Sequence, residues 1–177
     1  MQVKPSLKRI YLLGYMGSGK STLGKRLANN IGYEFIDTDQ VFEQKYQIDL
    51  HQYFKIYGEE KFRSLEQGIL HDTFKLDKTI ISTGGGTPCF RDNMQQIKAH
   101  GFSIYLRMPA EALYQRLTQT KRKRPLTSGL KEEELQDFIR KTLEERKVFY
   151  EEADLCISGI NLKPKDLITV LSYYENL

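Results

Sequence analysis

The sequence predicts an α/β fold, a three-layer α/β/α sandwich around a parallel sheet, on two observations. Short apolar runs alternate along the chain with longer stretches of helical period, the pattern of strands joined by helical crossovers. One run, Ile10-Tyr11-Leu12-Leu13, leads into Gly14-Tyr15-Met16-Gly17-Ser18-Gly19-Lys20-Ser21, a full G-x-x-x-x-G-K-[ST] loop, and then into a helical stretch. Strands connected by helices are covered on both faces, and ligands collect at their carboxyl ends.

Each element follows in order. The first strand covers about 10–13, and the helix from about 20 carries Leu23, Leu27 and Ile31 on one face. A second strand lies near 33–37 and helices run through about 40–75. A third strand near 79–83 is followed by a helix from about 91 and a fourth strand near 102–107. The next helix spans about 110–119, and the basic stretch Lys121-Arg122-Lys123-Arg124-Pro125 interrupts it. Helices at about 131–150 and 164–175 complete the chain. No internal repeat or Pro-rich linker divides it, so one domain over 1–177 is expected.

Composition excludes more than it selects. A hydrophobic fraction of 40% with 28% charged residues suits a globular protein, and no apolar run approaches the ~20 residues that span a bilayer. The apolar stretch after the basic N-terminus is too short for a secretory signal, which makes a cytoplasmic location the expectation. Cys89 and Cys156 lack CxxC spacing and read as reduced thiols, while His51, His71 and His100 are scattered singles that read as surface or capping residues rather than zinc ligands. A net charge of +4 could serve a small polyanion as well as nucleic acid, but RNA-binding aromatic signatures are absent, and no nucleic-acid or membrane partner is expected.

The chemistry concentrates after strands. In the phosphate loop, backbone N–H groups of Gly17 to Thr22 and the helix N-terminus face an anion, Lys20 reaches the outer phosphates of a nucleoside triphosphate, and the Ser21 hydroxyl can ligate Mg²⁺. Asp37 and Asp39, in Phe35-Ile36-Asp37-Thr38-Asp39, end the second strand. One can serve magnesium and the other a substrate hydroxyl, or they cap the following helix. Arg63 and Glu66 share a helix face, either as a solvated pair or as an arginine held ready for a carboxylate. Gly84-Gly85-Gly86 follow a strand and expose backbone N–H groups to a small polar ligand. Arg116, Arg124 and Arg146 bracket a flap-like segment, with Tyr150 four residues after Arg146.

Taken in order and spacing, GYMGSGKS, FIDTD, GEEKFRSLE, STGGG, RPL and the Arg146 to Tyr150 helix resemble the shikimate kinases, across essentially the whole chain. The resemblance implies the nucleoside-monophosphate-kinase-like P-loop fold with a five-stranded parallel sheet, and the reaction of ATP with shikimate to give ADP and shikimate 3-phosphate. It also implies Mg²⁺, a monomer, shikimate-binding helices at about 38–75 and a lid at about 117–130. By motif, Arg63 and Arg146 would hold the shikimate carboxylate, and Asp39 with the backbone of Gly84, Gly85 and Gly86 its hydroxyls. Asp37 and Ser21 would serve the metal, Arg124 on the lid would meet the phosphates, and Arg116 would stack on adenine. Two segments depart from the family. Lys147-Val148-Phe149 stands where a proline is frequent, and Asn161-Leu162-Lys163-Pro164 matches the adenine-pocket loop only loosely, with Lys163 as its candidate contact. The alternatives are a gluconate or nucleoside monophosphate kinase of the same fold, or an ATP-sensing module. The base-reading N-K-x-D pattern of GTPases is absent.

Overall fold

The computed structural model describes residues 7–119 and 131–175. Within them the chain runs β1 (Arg9–Leu13), α1 (Lys20–Ile31), β2 (Glu34–Asp37), α2 (Thr38–Tyr46), α3 (Leu50–Tyr57) and α4 (Glu59–Asp72). It continues through β3 (Thr79–Ser82), α5 (Asn93–His100), β4 (Phe102–Arg107), α6 (Ala110–Gln119), α7 (Glu132–Tyr150), β5 (Leu155–Ser158) and α8 (Pro164–Glu175). All strand pairs are parallel, in the order β2-β3-β1-β4-β5. The expected sheet of five parallel strands is therefore present.

The two-residue period of β1 explains the three layers. Ile10 and Leu12 point to one face, where Leu23, Leu27 and Ala28 of α1 meet Leu167 and Leu171 of α8. Tyr11 and Leu13 point to the other, where Leu70 of α4, Met94 and Ile97 of α5 and Tyr150 of α7 pack. A strand buried on both faces must be apolar at every position, and Ile10 through Leu13 are each at most 1% exposed. At roughly 25 cal/mol per Å² of apolar surface, that central strand and its two helical layers form the main stabilising mass of the fold.

Topology then selects the site. The chain leaves β1 for the outer strand β2, returns to β3 beside β1, and crosses to β4 on its other side. The crevice opens where this direction reverses, at the carboxyl end of β1, and the phosphate loop fills that position. On the far edge, β5 pairs Leu155 with Ile104 and Ile157 with Leu106. Its entry is fixed by Asp154, whose carboxylate accepts from the backbone N–H and the hydroxyl of Ser103 at 2.8 and 2.6 Å.

Candidate active site

Between β1 and α1, Gly19 is the residue before the helix and adopts φ +99°, a left-handed turn that aims the first N–H groups of α1 into the crevice. Lys20 is buried, and its ammonium donates to the carbonyls of Gly14 and Tyr15 at 2.8 and 3.0 Å. The loop thus curls around its own cation. A cavity of about 320 Å³ lies above it, lined among others by Gly17, Lys20, Ser21, Asp37, Asp39 and Arg116. A second cavity, of about 300 Å³, shares Gly19, Thr22 and Arg116 with the first and adds Ser18. Arg116 donates to the carbonyls of Gly17 and Ser18 at 3.3 and 3.2 Å, so α6 lies across the loop between the two cavities. Asn161, Leu162 and Pro164 line the second cavity. Lys163 is not among its lining residues; its backbone N–H donates to Asp166 at the start of α8.

Strand β2 ends at Asp37, and Asp39 belongs to the first turn of α2, so the two carboxylates do not share one strand end. Asp37 caps the following helix and also meets Ser21. Its Oδ1 caps α2 by accepting from the N–H groups of Asp39 and Gln40, and its Oδ2 accepts from the Ser21 hydroxyl at 2.5 Å. A hydroxyl and a carboxylate at this distance, beside the buried Lys20, fit Mg²⁺, which takes oxygen ligands and completes its shell with phosphate and water.

The Arg63 and Glu66 pair is not a solvated helix face. Their side chains are 9% and 4% exposed, and Arg63 Nη1 donates to Glu66 Oε2 at 2.7 Å. Glu59 accepts from Arg63 as well, and Thr87 donates its hydroxyl proton to the other Glu66 oxygen at 2.7 Å. Burial opposes the charge on Arg63, but the Glu66 and Glu59 carboxylates outweigh it and hold the guanidinium above its usual pKa. The cation is permanent and its plane is fixed, which suits bidentate capture of a carboxylate.

Arg63 lines a third cavity, of about 80 Å³, with Asp39, Gly84, Gly85, Gly86 and Arg146. Gly86 is required by close approach: a Cβ there would lie 2.5 Å from Arg63 Cζ. A Cβ on Gly85 would lie 3.4 Å from Arg146 Nη1 and 3.2 Å from the Met16 N–H nitrogen, so this glycine stands between the phosphate loop and Arg146. Tyr150 donates its hydroxyl to the Gly85 carbonyl, while Arg146 packs over the Tyr15 ring at 5.5 Å. Asp39, Met16 and Gly85 line both this cavity and the one above Lys20.

Reading the sequence missed the rest of this lining. Asp49 just before α3, Leu50, His51 and Phe54 from α3 and Phe62 from α4 complete the wall, and nothing in their local pattern marks them, because only the packing of α3 on α4 brings them in. Thr87 also carried no signal. Arg124 and most of the expected lid lie outside the described residues.

Comparison with known proteins gives the family. The shikimate kinase family model matches residues 16–173. A shikimate kinase of Parabacteroides distasonis is 44% identical over 149 residues, covering 84% of this chain and 86% of that protein. The solved shikimate kinase from Bacteroides thetaiotaomicron superposes with TM-score 0.88 at 36% identity, over 96% of this chain and 98% of that one. That from Acinetobacter baumannii, in complex with shikimate, gives 0.85 at 32%, over 96% of each chain. A gluconokinase from Sinorhizobium meliloti, at TM-score 0.60 and 18% identity over 99% of this chain and 97% of that one, shares the fold alone. A phosphate loop opening onto a cavity with two arginines, and relatives matching over nearly the whole chain, place this protein in the shikimate kinase family.

Proposed function

We propose that this chain carries out its family's reaction, transfer of the γ-phosphoryl group of ATP to the 3-hydroxyl of shikimate, with roles divided between the joined cavities. The observation that carries the division is Asp39, which lines the cavity above Lys20 and the cavity of Arg63 and Arg146 alike. A residue there can reach an acceptor hydroxyl on one side and a phosphoryl group on the other.

In this reading the N–H groups from Gly17 to Thr22 bind the ATP phosphates, Lys20 leaves its loop carbonyls for the outer phosphates, and Arg116 covers the adenine side, with Lys163 at its margin. Arg63 and Arg146 grip the shikimate carboxylate, and the backbone of Gly84, Gly85 and Gly86 contacts its ring substituents. Asp39 accepts the 3-hydroxyl proton as the oxygen forms its bond to the γ-phosphorus, and the bond to the β-phosphate oxygen breaks to release ADP. Ser21 and Asp37 would hold Mg²⁺, whose charge when bound stabilises the phosphate oxygens. Lys20 and Arg124 stabilise the same developing charge, and the segment at about 117–130 closes as a lid that excludes water. The chain acts as one cytoplasmic domain and as a monomer. Among the described residues no helix is long and apolar enough to cross a membrane.

ADP release from Mg-ATP, with shikimate, gluconate and AMP as parallel acceptors, tests the assignment. Turnover should depend on shikimate. Asp39→Asn should lower kcat by about 10²–10⁴, and Lys20→Ala by about 10²–10³. Arg63→Lys keeps a cation for Glu66 but loses the bidentate fork, and should raise KM for shikimate with little change in KM for ATP. Near-normal kcat in Asp39→Asn would remove this residue from the proton-accepting role.

A further inference from the structure

Resting on the assignment of the Arg63 cavity to shikimate, we infer that His51 is a further substrate-binding residue, its imidazole Nδ1 hydrogen-bonding a ring hydroxyl other than the one that reacts. His51 is the second residue of α3, placed there by Asp49, which caps the helix by accepting the His51 N–H at 2.8 Å. His51 is among the residues that line the cavity of Asp39, Arg63 and Arg146. Its Nδ1 is shut off from solvent and has no hydrogen-bond partner, a condition it shares with only two other side-chain atoms among the described residues. A buried imidazole nitrogen left unpaired in a folded protein calls for an explanation, and a ligand that enters the cavity supplies one.

The chemistry of the remaining lining narrows the partner. The carboxylate of the substrate is taken by two guanidinium groups and the reacting hydroxyl by Asp39, which leaves the other two ring hydroxyls. Leu50, Phe54 and Phe62 make the wall near His51 largely apolar, with Asp49 at its edge engaged by the helix N–H groups that it caps, so Nδ1 is one of few polar atoms there, the arrangement that fixes a ligand's orientation. A hydroxyl both donates and accepts, and so satisfies either imidazole tautomer. Nδ1 is covered in this structure, and helix α3, which buries no residue completely, can shift to turn it toward the ligand.

Steady-state kinetics of His51→Ala, His51→Asn and His51→Gln test this, with Arg146→Ala as control. The Asn amide places a polar atom near Nδ1, whereas the Gln amide places one near Nε2. We expect His51→Ala to raise KM for shikimate about three- to tenfold, the worth of one neutral hydrogen bond, with KM for ATP and melting temperature unchanged. His51→Asn should recover most of the loss and His51→Gln little of it. Shikimate analogues lacking the 4- or the 5-hydroxyl should locate the partner: one deletion should weaken binding to the wild type but not to His51→Ala. The inference is overturned if KM is unchanged in His51→Ala, if Asn fails to rescue, or if both KM values rise together with a fall in melting temperature. If Arg146→Ala also leaves KM for shikimate unchanged, the assignment of the cavity fails, and not His51 alone.

Discussion

Gly86 has no side chain because the Arg63 guanidinium occupies the space where one would be. Its own φ of −95° is open to any residue, so the demand comes from the arginine and not from the backbone. Arg63 cannot retreat, since Glu66 and Glu59 hold it and Thr87 holds Glu66. Gly86→Ala should therefore raise KM for shikimate by about 10–100-fold, the worth of a displaced charge-assisted contact, while KM for ATP stays near normal. Unchanged affinity for shikimate would show that Arg63 is not its anchor. The same neighbourhood bears on Cys89, whose thiol is pushed up to about 11, first by burial, with Arg146 and Arg63 opposing. A raised pKa keeps the unreactive thiol form through neutral and mildly alkaline pH, and the thiolate gains only as pH passes that value. At pH 8 an alkylating reagent should modify the exposed Cys156 first and leave Cys89 intact until the protein unfolds, as mass spectrometry would show. Spacing announces that Arg63 and Glu66 share a helix face. Their burial depends on Gly86 and Thr87 arriving from another part of the chain, and three residues of helix cannot show that.

Helix α7 is tied to the glycine turn after β3 by one hydrogen bond, from Tyr150 to the Gly85 carbonyl. Burial pushes the Tyr150 phenol far above its usual pKa, so it remains a donor at every working pH, and its ring packs on Tyr105 at 5.0 Å. Tyr150→Phe keeps that packing but leaves the carbonyl unpaired. The variant should lose about 1 kcal/mol of stability, or about 2–4 °C in Tm, with a modest rise in KM for shikimate as the glycine turn loosens. An unchanged Tm in thermal denaturation would show that the bond contributes nothing. Elements differ in how far sequence announces them. Strands β1, β3 and β4 are apolar along most of their length and were legible, as was α1 from its spaced leucines. Strand β5 escaped notice because Leu155-Cys156-Ile157-Ser158 is four residues at the sheet edge, half-exposed in alternation, and owes its strand conformation to pairing with β4. The break between α3 and α4 falls at Gly58, with φ +80°, inside a stretch whose helical period runs through it.

Across the whole molecule the proposed ligand contacts come from segments remote in sequence: the loop at 14–22, the aspartates at 37 and 39, Arg63, the glycines at 84–86, Arg116 and Arg146. Only the folded sheet brings them together, so either substrate binds the native state and not the unfolded chain. Binding linkage then requires that each ligand raise the melting temperature. At a concentration 100-fold above its Kd a ligand adds about 2.7 kcal/mol, which for a chain of this size is a shift of about 5–10 °C. The two ligands should be separable by mutation, because in the proposed assignment ADP draws on the loop at 14–22 and Arg116 whereas shikimate draws on Arg63 and Arg146. Differential scanning fluorimetry of Arg146→Ala should therefore retain the ADP shift and lose most of the shikimate shift. Loss of both would mean that Arg146 organises the crevice as a whole, and retention of both would remove it from the substrate site. Met16, Asp39 and Gly85 line both cavities, so the shifts from the two ligands together should differ from the sum of the separate shifts. Strict additivity would mean that the cavities, although they share a wall, bind their ligands independently.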